Sequence, residues 1–407
     1  MLNCNILSLL CYVCHNYIIQ QKESDWLFLT AFHSLFFSGL VQQPHPGLSV
    51  AFDFDDNCEL RWRYVPGLLP DVKVKEIGPG TEQMLKDILL RPFDRILNAC
   101  LCRANVFKTQ SGCYLFMDVH HLLMDGTSLG VLLQDITDAY FGRELKKDYY
   151  FALAAEEEEK ILGGARKEDE SSYWDCYGSE AWCRMIQPDY PDKSIDPISK
   201  IERMHINEEQ IMEAEKRWKV SLSVMAITAG LIALSKVTGE KNVMVNWIFN
   251  NRLFPESEHV VGMLIKNMPA ALRMDEITDM QEALSSVREQ VSRAIAHNTY
   301  DYLAEVYQPY LYDPVEINVQ FGMNGEKMDE LSYEFIELAN PFAKPAGIQP
   351  ELILLKNEYK DGGYDSEMEY PEAVFKREKM DAFHRPYIRI LESIITGEDT
   401  EAYFHKE

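Results

Sequence analysis

The stretch 118-DVHHLLMDGTSLG-130 sets two adjacent histidines ahead of three apolar residues, an aspartate and a glycine. Two periodicities meet in it. Upstream, 98-NACLCRANVFKTQSGCYLFMDVHH-121 is rich in β-formers and reads as two strands joined by a turn at 109-TQSG-112. Downstream, Leu129, Leu132, Leu133, Ile136 and Tyr140 recur at helical spacing, and Thr127 or Ser128 is placed to cap the helix they form. The histidines therefore stand where a strand ends and a helix begins. Successive strand side chains point to opposite faces, so His120 and His121, read as the last strand residues, do not converge on one small ligand. That counts against a two-histidine metal site, which uses spacings that bring both rings to one face. One histidine faces a cavity; the other faces the core, where it holds a backbone group. Leu122, Leu123 and Met124 wrap the turn in apolar surface, so Asp125 needs a cation or several N–H donors. Gly126 permits a tight turn and close approach to the backbone. An imidazole near its ordinary pKa takes a proton from an amine or hydroxyl nucleophile at neutral pH, which is acyl-transfer chemistry. The histidines alone also admit a purely structural reading.

Around this stretch the chain alternates strands and helices. The segments 48-LSVAFDFDD-56, 60-LRWRYVP-66 and 71-DVKVKEI-77 read as strands, and 81-TEQMLKDILLRPFD-94 as a helix with Met84, Ile88 and Leu89 on one side, closed by Pro92. The acidic run in 156-EEEEKILGGARKEDESSYW-174 reads as a solvated helix face. Three prolines and four charges in 187-QPDYPDKSIDP-197 mark a linker. The expected division is a lobe at 1–186, the linker at 187–197 and a second lobe at 198–407. In the second half, 201-IERMHI-206 reads as a strand, 207-NEEQIMEAEKRW-218 and 221-SLSVMAITAGLIALSKVTG-239 as helices, and 242-NVMVNWIF-249 as a strand buried on both faces.

At 407 residues the chain exceeds one ordinary core, and 46% hydrophobic residues supply two. Sixty-five acidic against 40 basic residues give a net charge of −25, which repels phosphate backbones and argues against nucleic acid as a partner. Nine scattered cysteines do not form a disulfide framework for a chain this long, so a reducing, cytoplasmic setting is expected. Cys11 and Cys14 form one CxxC without the second pair that a zinc site needs. The apolar N-terminus lacks a basic n-region, and 26-WLFLTAFHSLFFSGL-40 is short of the ~20 residues needed to span a bilayer. No membrane association is expected.

The motif 120-HHLLMDG-126 resembles the His-His-x-x-x-Asp-Gly signature of the condensation domains of nonribosomal peptide synthetases, members of the chloramphenicol-acetyltransferase-like superfamily. The resemblance continues on both sides. 91-RPFDRILNACLCRANVF-107 is similar to the family's proline-phenylalanine-aspartate segment, and 171-SSYW-174 falls where the family has a tyrosine-tryptophan helix. In 250-NNRLFPESEHVVGMLIKNMPAALRM-274 the residues Arg252, Gly262, Met263, Asn267, Pro269 and Arg273 follow the family's string, and 368-MEYPEAVFKREKMDAFHRPYIRILESI-394 resembles its closing strand and helix. Residues 1–40 match the family's opening helix poorly, and Asn251 stands where the family more often has glycine.

This resemblance implies an α/β fold of two chloramphenicol-acetyltransferase-like lobes, a V-shaped pseudo-dimer with a central tunnel. It implies a condensation reaction between an acyl or peptidyl donor and an aminoacyl acceptor, each a thioester on a carrier protein's phosphopantetheine arm. The domain itself would bind no cofactor and no metal. By the same carry-over His121 is the catalytic residue, His120 belongs to the core, Asp125 pairs with Arg252 from the other lobe, and Gly126 lines the tunnel. Asn267 and Arg273 are expected in a packing network. Carrier docking would rest on local patches, for which 60-LRWRY-64 and 376-KREK-379 are candidates. A monomer is the expectation, and the chain's ends suggest a unit without attached adenylation or carrier domains. The rival readings are a free-standing acyltransferase using a coenzyme A or carrier thioester, and an inactive docking or scaffold domain. Epimerisation and cyclisation are disfavoured, the first for want of its glutamate motif and the second because the histidines are retained.

Overall fold

The structure is a computed structural model that describes residues 14–21, 45–56, 60–68, 72–76, 93, 95–108, 113–162, 172–175, 177, 182–190, 198–298, 315–320, 332–335, 353–360 and 362–404. The expected helix at 81–94, apart from Phe93, lies outside these residues, as do Cys11 of the CxxC, the whole turn at 109–112 and the linker's second half. Two compact units emerge. The first comprises residues 1–155, 251–264 and 325–348; the second comprises 156–250, 265–324 and 349–407.

The first unit is built on a mixed five-stranded sheet in the order β11-β1-β6-β5-β4. Its strands are β1 (Cys14–Gln21), β4 (Val72–Glu76), β5 (Cys102–Lys108), β6 (Cys113–His120) and β11 (Ser332–Phe335). β5 and β6 pair antiparallel, with Arg103 opposite Asp118, whereas β4 runs parallel to β5. β1 lies antiparallel on the other side of β6, placing Cys14 opposite His120. The sequence did not advertise β1, because CHNYIIQQ has polar residues at both ends and no clean alternation. β2 (Val50–Phe54) and β3 (Leu60–Tyr64) form a separate two-stranded ribbon. From β6 the chain turns into helix α1 (Gly126–Tyr140), whose buried Leu129, Leu132, Leu133 and Ile136 are the apolar stripe expected of it. Helix α2 (Tyr150–Leu162) follows.

The second unit carries a six-stranded mixed sheet in the order β7-β13-β12-β10-β8-β9. Its strands are β7 (Ile198–Asn207), β8 (Asn242–Phe249), β9 (Lys266–Arg273), β10 (Val315–Gln320), β12 (Ile353–Lys360) and β13 (Gly363–Pro371). Helices α3 (Glu208–Trp218), α4 (Leu222–Thr238), α5 (Met280–Ala296) and α6 (Arg377–Thr396) complete it. α4 is apolar nearly all round and is buried from Leu222 to Leu234 apart from Ser223, as the core helix of a sheet should be. β8 lies inside the sheet between β10 and β9, and Val243 through Trp247 are buried on both its faces. No single helix among the described residues is long and apolar enough to cross a membrane.

Candidate active site

β6 ends at His120, and His121 opens a three-residue turn instead of being the last strand residue. The strand's alternation still sets His120, which faces the interior at 2% exposure. Its backbone N–H donates to the Leu101 carbonyl at 2.9 Å, and its Nδ1 accepts the Leu122 N–H at 3.1 Å. Nδ1 is thus an acceptor and the proton sits on Nε2. Burial, with His121 beside it, pushes the His120 pKa down to about 4, so the ring is neutral at physiological pH.

A packed polar stack supports this ring. The Phe93 ring meets His120 edge-on with centroids 5.7 Å apart, and the Arg103 guanidinium lies 4.2 Å from the Phe93 centroid. Arg103 in turn binds Asp118 through Nε at 2.9 Å and through its second terminal nitrogen. Asp118 and His120 share a strand face, two residues apart. Burial raises the Asp118 carboxyl to about 6 despite the Arg103 charge. Phe93 is the phenylalanine of the RPFD segment, so that segment's place in the sequence has a structural reason.

His121 is partly exposed. Burial lowers its pKa from the ordinary value; a hydrogen bond to its own backbone and the negative charge of Asp125 act in the opposite sense. At neutral pH it is a neutral base with water-accessible surface.

Asp125, not Thr127 or Ser128, is the N-cap of α1, with extended backbone at φ −97° and ψ 177°. Gly126 is already helical, which places the cap on Asp125, ahead of the Thr127 or Ser128 that the sequence suggested. The carboxylate is fully buried. Its Oδ1 accepts from the Ser128 N–H at 2.8 Å and from an Arg252 terminal nitrogen at 2.8 Å, and its Oδ2 accepts from the Leu264 N–H at 3.0 Å. The pair's side chains are 4% exposed for Arg252 and 0% for Asp125, so this ion pair is desolvated and carries the hydrogen bonds that such pairs need. Arg252 lies in segment 251–264, which groups with Asp125 in the first compact unit although it follows the 187–197 segment in chain order.

Segment 251–264 is pinned along its length. Arg252 also donates to the Ser257 carbonyl at 2.9 Å, beside the single helical turn Pro255–Glu258. The Ser128 hydroxyl accepts from Arg252 at 2.8 Å and from the Gly262 N–H at 3.0 Å. It donates to Asp125 Oδ1 at 2.8 Å or to the Gly262 carbonyl at 2.7 Å. A Cβ on Gly262 would collide with the Tyr150 ring, so only glycine fits this crossing. Asn251 has φ +53°, a left-handed conformation that asparagine tolerates and glycine favours. Gly126 has no such backbone need, because it is helical and absent from the positive-φ glycines. Among the described residues a Cβ there would meet nothing within 4 Å, so it leaves open space beside the motif.

Sequence reasoning missed a second buried cluster. His45 is completely buried; its Nδ1 lies 2.9 Å from Asp148 Oδ2 and its Nε2 lies 2.8 Å from Asp135 Oδ2. His259 Nε2 reaches the same Asp135 at 3.0 Å. Burial alone would lower the His45 pKa, yet hydrogen bonds to Asp135 and Asp148 and their charges raise it above the ordinary value. Asp135 is held below the carboxylate range: burial opposes this, and the bonds from His259 and His45 overcome it. The partners lie 90, 103 and 124 residues apart in sequence, beyond any periodicity.

In the second unit, Asn267 donates to Glu316 Oε2 at 2.5 Å, and burial pushes the Glu316 carboxyl up to about 7 against that bond. Arg273 lies 3.6 Å from Glu276 and over the Trp182 ring at 5.5 Å. Both residues engage groups of their own unit.

The family model of the condensation domain matches residues 72–402. Bacitracin synthase 3 of Bacillus licheniformis is 24% identical over 342 residues, which cover 79% of this chain and 5% of the synthase. Tyrocidine synthase 2 of Brevibacillus parabrevis is 20% identical over 378 residues, covering 89% of this chain and 10% of the synthase. The chain thus spans a tenth or less of the length of these relatives. Among solved structures, the epimerization domain from the third module of tyrocidine synthetase B superposes with a TM-score of 0.75 at 16% identity, covering 97% of this chain and 94% of that one. The first condensation domain of the calcium-dependent antibiotic synthetase gives 0.68 at 14% identity, covering 96% and 93%. These structural likenesses establish a shared mixed α/β, chloramphenicol-acetyltransferase-like fold. With the family model matched across both units, the chain belongs to the condensation-domain family of the nonribosomal peptide synthetases.

Proposed function

We propose that this chain forms an amide bond between a carrier-bound acyl or peptidyl thioester and a carrier-bound aminoacyl thioester, with His121 at the reacting amine. The observation that carries this reading is the placement of one neutral, partly exposed imidazole beside a turn whose geometry is locked by the desolvated Asp125–Arg252 pair. In this reading the two phosphopantetheine arms, supplied by the carriers, bring the donor thioester and the acceptor amine to His121. The acceptor nitrogen attacks the thioester carbonyl carbon, a C–N bond forms, and the amine proton passes to His121. The C–S bond then breaks, and the proton leaves with the thiolate of the donor arm. Holding both tethered reactants converts a bimolecular encounter into a nearly unimolecular step, worth several kcal/mol of barrier. His120, buried and committed to the Leu122 N–H, shapes the turn and takes no proton. Gly126 leaves room for the reacting acyl groups. In this reading the protein acts as a monomer in a reducing cytoplasm.

The test incubates the purified protein with an acyl-loaded carrier and an aminoacyl-loaded carrier and follows the intact mass of each. Movement of the acyl mass to the acceptor carrier supports condensation. Consumption of coenzyme A thioesters by small amines or alcohols, with the carriers inert, would instead make it a free-standing acyltransferase. No transfer from either source would leave the docking or scaffold reading.

A further inference from the structure

The active-site turn is held by segment 251–264, and that segment is itself held from behind. Asp148 Oδ2 accepts the Val261 N–H at 2.9 Å while facing His45 Nδ1. Asp135 binds His259 Nε2 while facing His45 Nε2. The next residues along the segment, Gly262 and Leu264, donate their N–H groups to Ser128 and Asp125. One continuous network therefore runs from His45 through two carboxylates and residues 259–264 to the N-terminus of α1. Asp135 and Asp148 have side chains 2% and 0% exposed, so their two negative charges need a buried cation between them. With a carboxylate at each ring nitrogen, His45 donates from both and is that cation.

We infer that His45 is a positioning residue: as a doubly paired imidazolium it fixes residues 259–264 and so seats Arg252 and Leu264 against Asp125 at the active-site turn. The inference rests on the reading of that turn as catalytic only for its effect on rate; its effect on the segment stands apart. The charged and titratable groups facing His45 are Asp135 from α1, Asp148 from the connection ahead of α2, and His259 from the segment itself, with ring centroids 6.4 Å away. A cation stabilised this way holds its partners below its raised pKa and lets them go as pH rises through it.

The experiment is amide hydrogen exchange by mass spectrometry on the full chain, comparing wild type, His45→Gln, and His45→Gln with Asp135→Asn. Peptides covering 259–264 and 126–130 are compared with β9, where Leu272 is buried in the second unit. His45→Gln is expected to speed exchange in the first two regions by about tenfold or more, with β9 unchanged. The double variant, which removes one of the two uncompensated charges, is expected to recover most of the protection. In wild type, exchange corrected for its intrinsic pH dependence should step up in 259–264 as pH rises through the raised His45 pKa, and His45→Gln should lack the step. Unchanged protection, an equal loss in β9, no recovery in the double variant, or a wild-type profile without the step would each overturn the inference. In the transfer assay His45→Gln should lower kcat with little change in KM. If wild type transfers nothing, the condensation reading fails while the exchange data still decide the role of His45.

Discussion

Arg252→Met removes the cation from a carboxylate that has no access to water. Breaking a buried pair from one side costs about 3–5 kcal/mol, because the remaining charge stays desolvated. Asp125 keeps the Ser128 N–H at 2.8 Å, the Ser128 hydroxyl at 2.8 Å and the Leu264 N–H at 3.0 Å, and those charge-assisted bonds place the cost at the low end, about 3 kcal/mol. At 1.36 kcal/mol per decade this is about a 150-fold rise in exchange at the Leu264 amide, whose acceptor is Asp125 itself. Asp125→Asn keeps an oxygen for the helix cap but leaves the 4%-exposed guanidinium without its counter-charge. The double variant Arg252→Met with Asp125→Asn removes both charges, so its cost should fall short of the two single costs summed by about 2 kcal/mol. Residue-resolved hydrogen exchange on all four proteins measures this coupling. A coupling under about 0.5 kcal/mol would refute the argument that this pair locks the turn.

Three further outcomes follow from the same geometry. Asn251→Gly should leave stability within about 1 kcal/mol of wild type, whereas Asn251→Val, a β-branched residue forced to φ +53°, should cost about 1–3 kcal/mol in urea unfolding of the first unit; equal effects would remove the backbone argument. Asp118, at about 6 in the folded state against 3.8 unfolded, makes stability fall as pH rises from about 4 to 6, by about 3 kcal/mol in all. Asp118→Asn should lack that fall, and parallel urea-midpoint profiles for the two proteins would contradict it. Because the pKa of His121 is lowered, kcat/KM should stay high below pH 6.5 and decline only on further acidification; an acid limb at or above 6.5 would mean that another group titrates.

Much of this was legible in the sequence, for identifiable reasons. The helix α1 stripe and the long apolar α4 are carried by local periodicity, which survives folding unchanged. The histidine doublet could be split into an inward and an outward member because a strand runs into it, although the strand stops one residue early. The N-cap was displaced: the sequence pointed to Thr127 or Ser128, but the helix already begins at Gly126, so Asp125, a residue type that caps as well, takes the position. β1 was invisible because half its residues are polar. The pairing of Asp125 with Arg252 came from the family likeness, but its location within one compact unit did not, because chain order assigns Arg252 to the second half. The His45 cluster joins residues from three distant stretches of the chain, around 45, 135–148 and 259, and no local signal marks any of them.

The most direct test of the central claim is single-turnover transfer between preloaded carriers, measured for wild type, His121→Ala and His120→Ala, with hydrogen exchange of Ser128 and Leu264 followed in each. His121→Ala should abolish transfer while both amides keep their protection, because each donates to Asp125. His120→Ala should lose protection around Leu122, whose N–H donates to its ring, and slow transfer through that disorder. A His121→Ala protein that still transfers at the wild-type rate would contradict it.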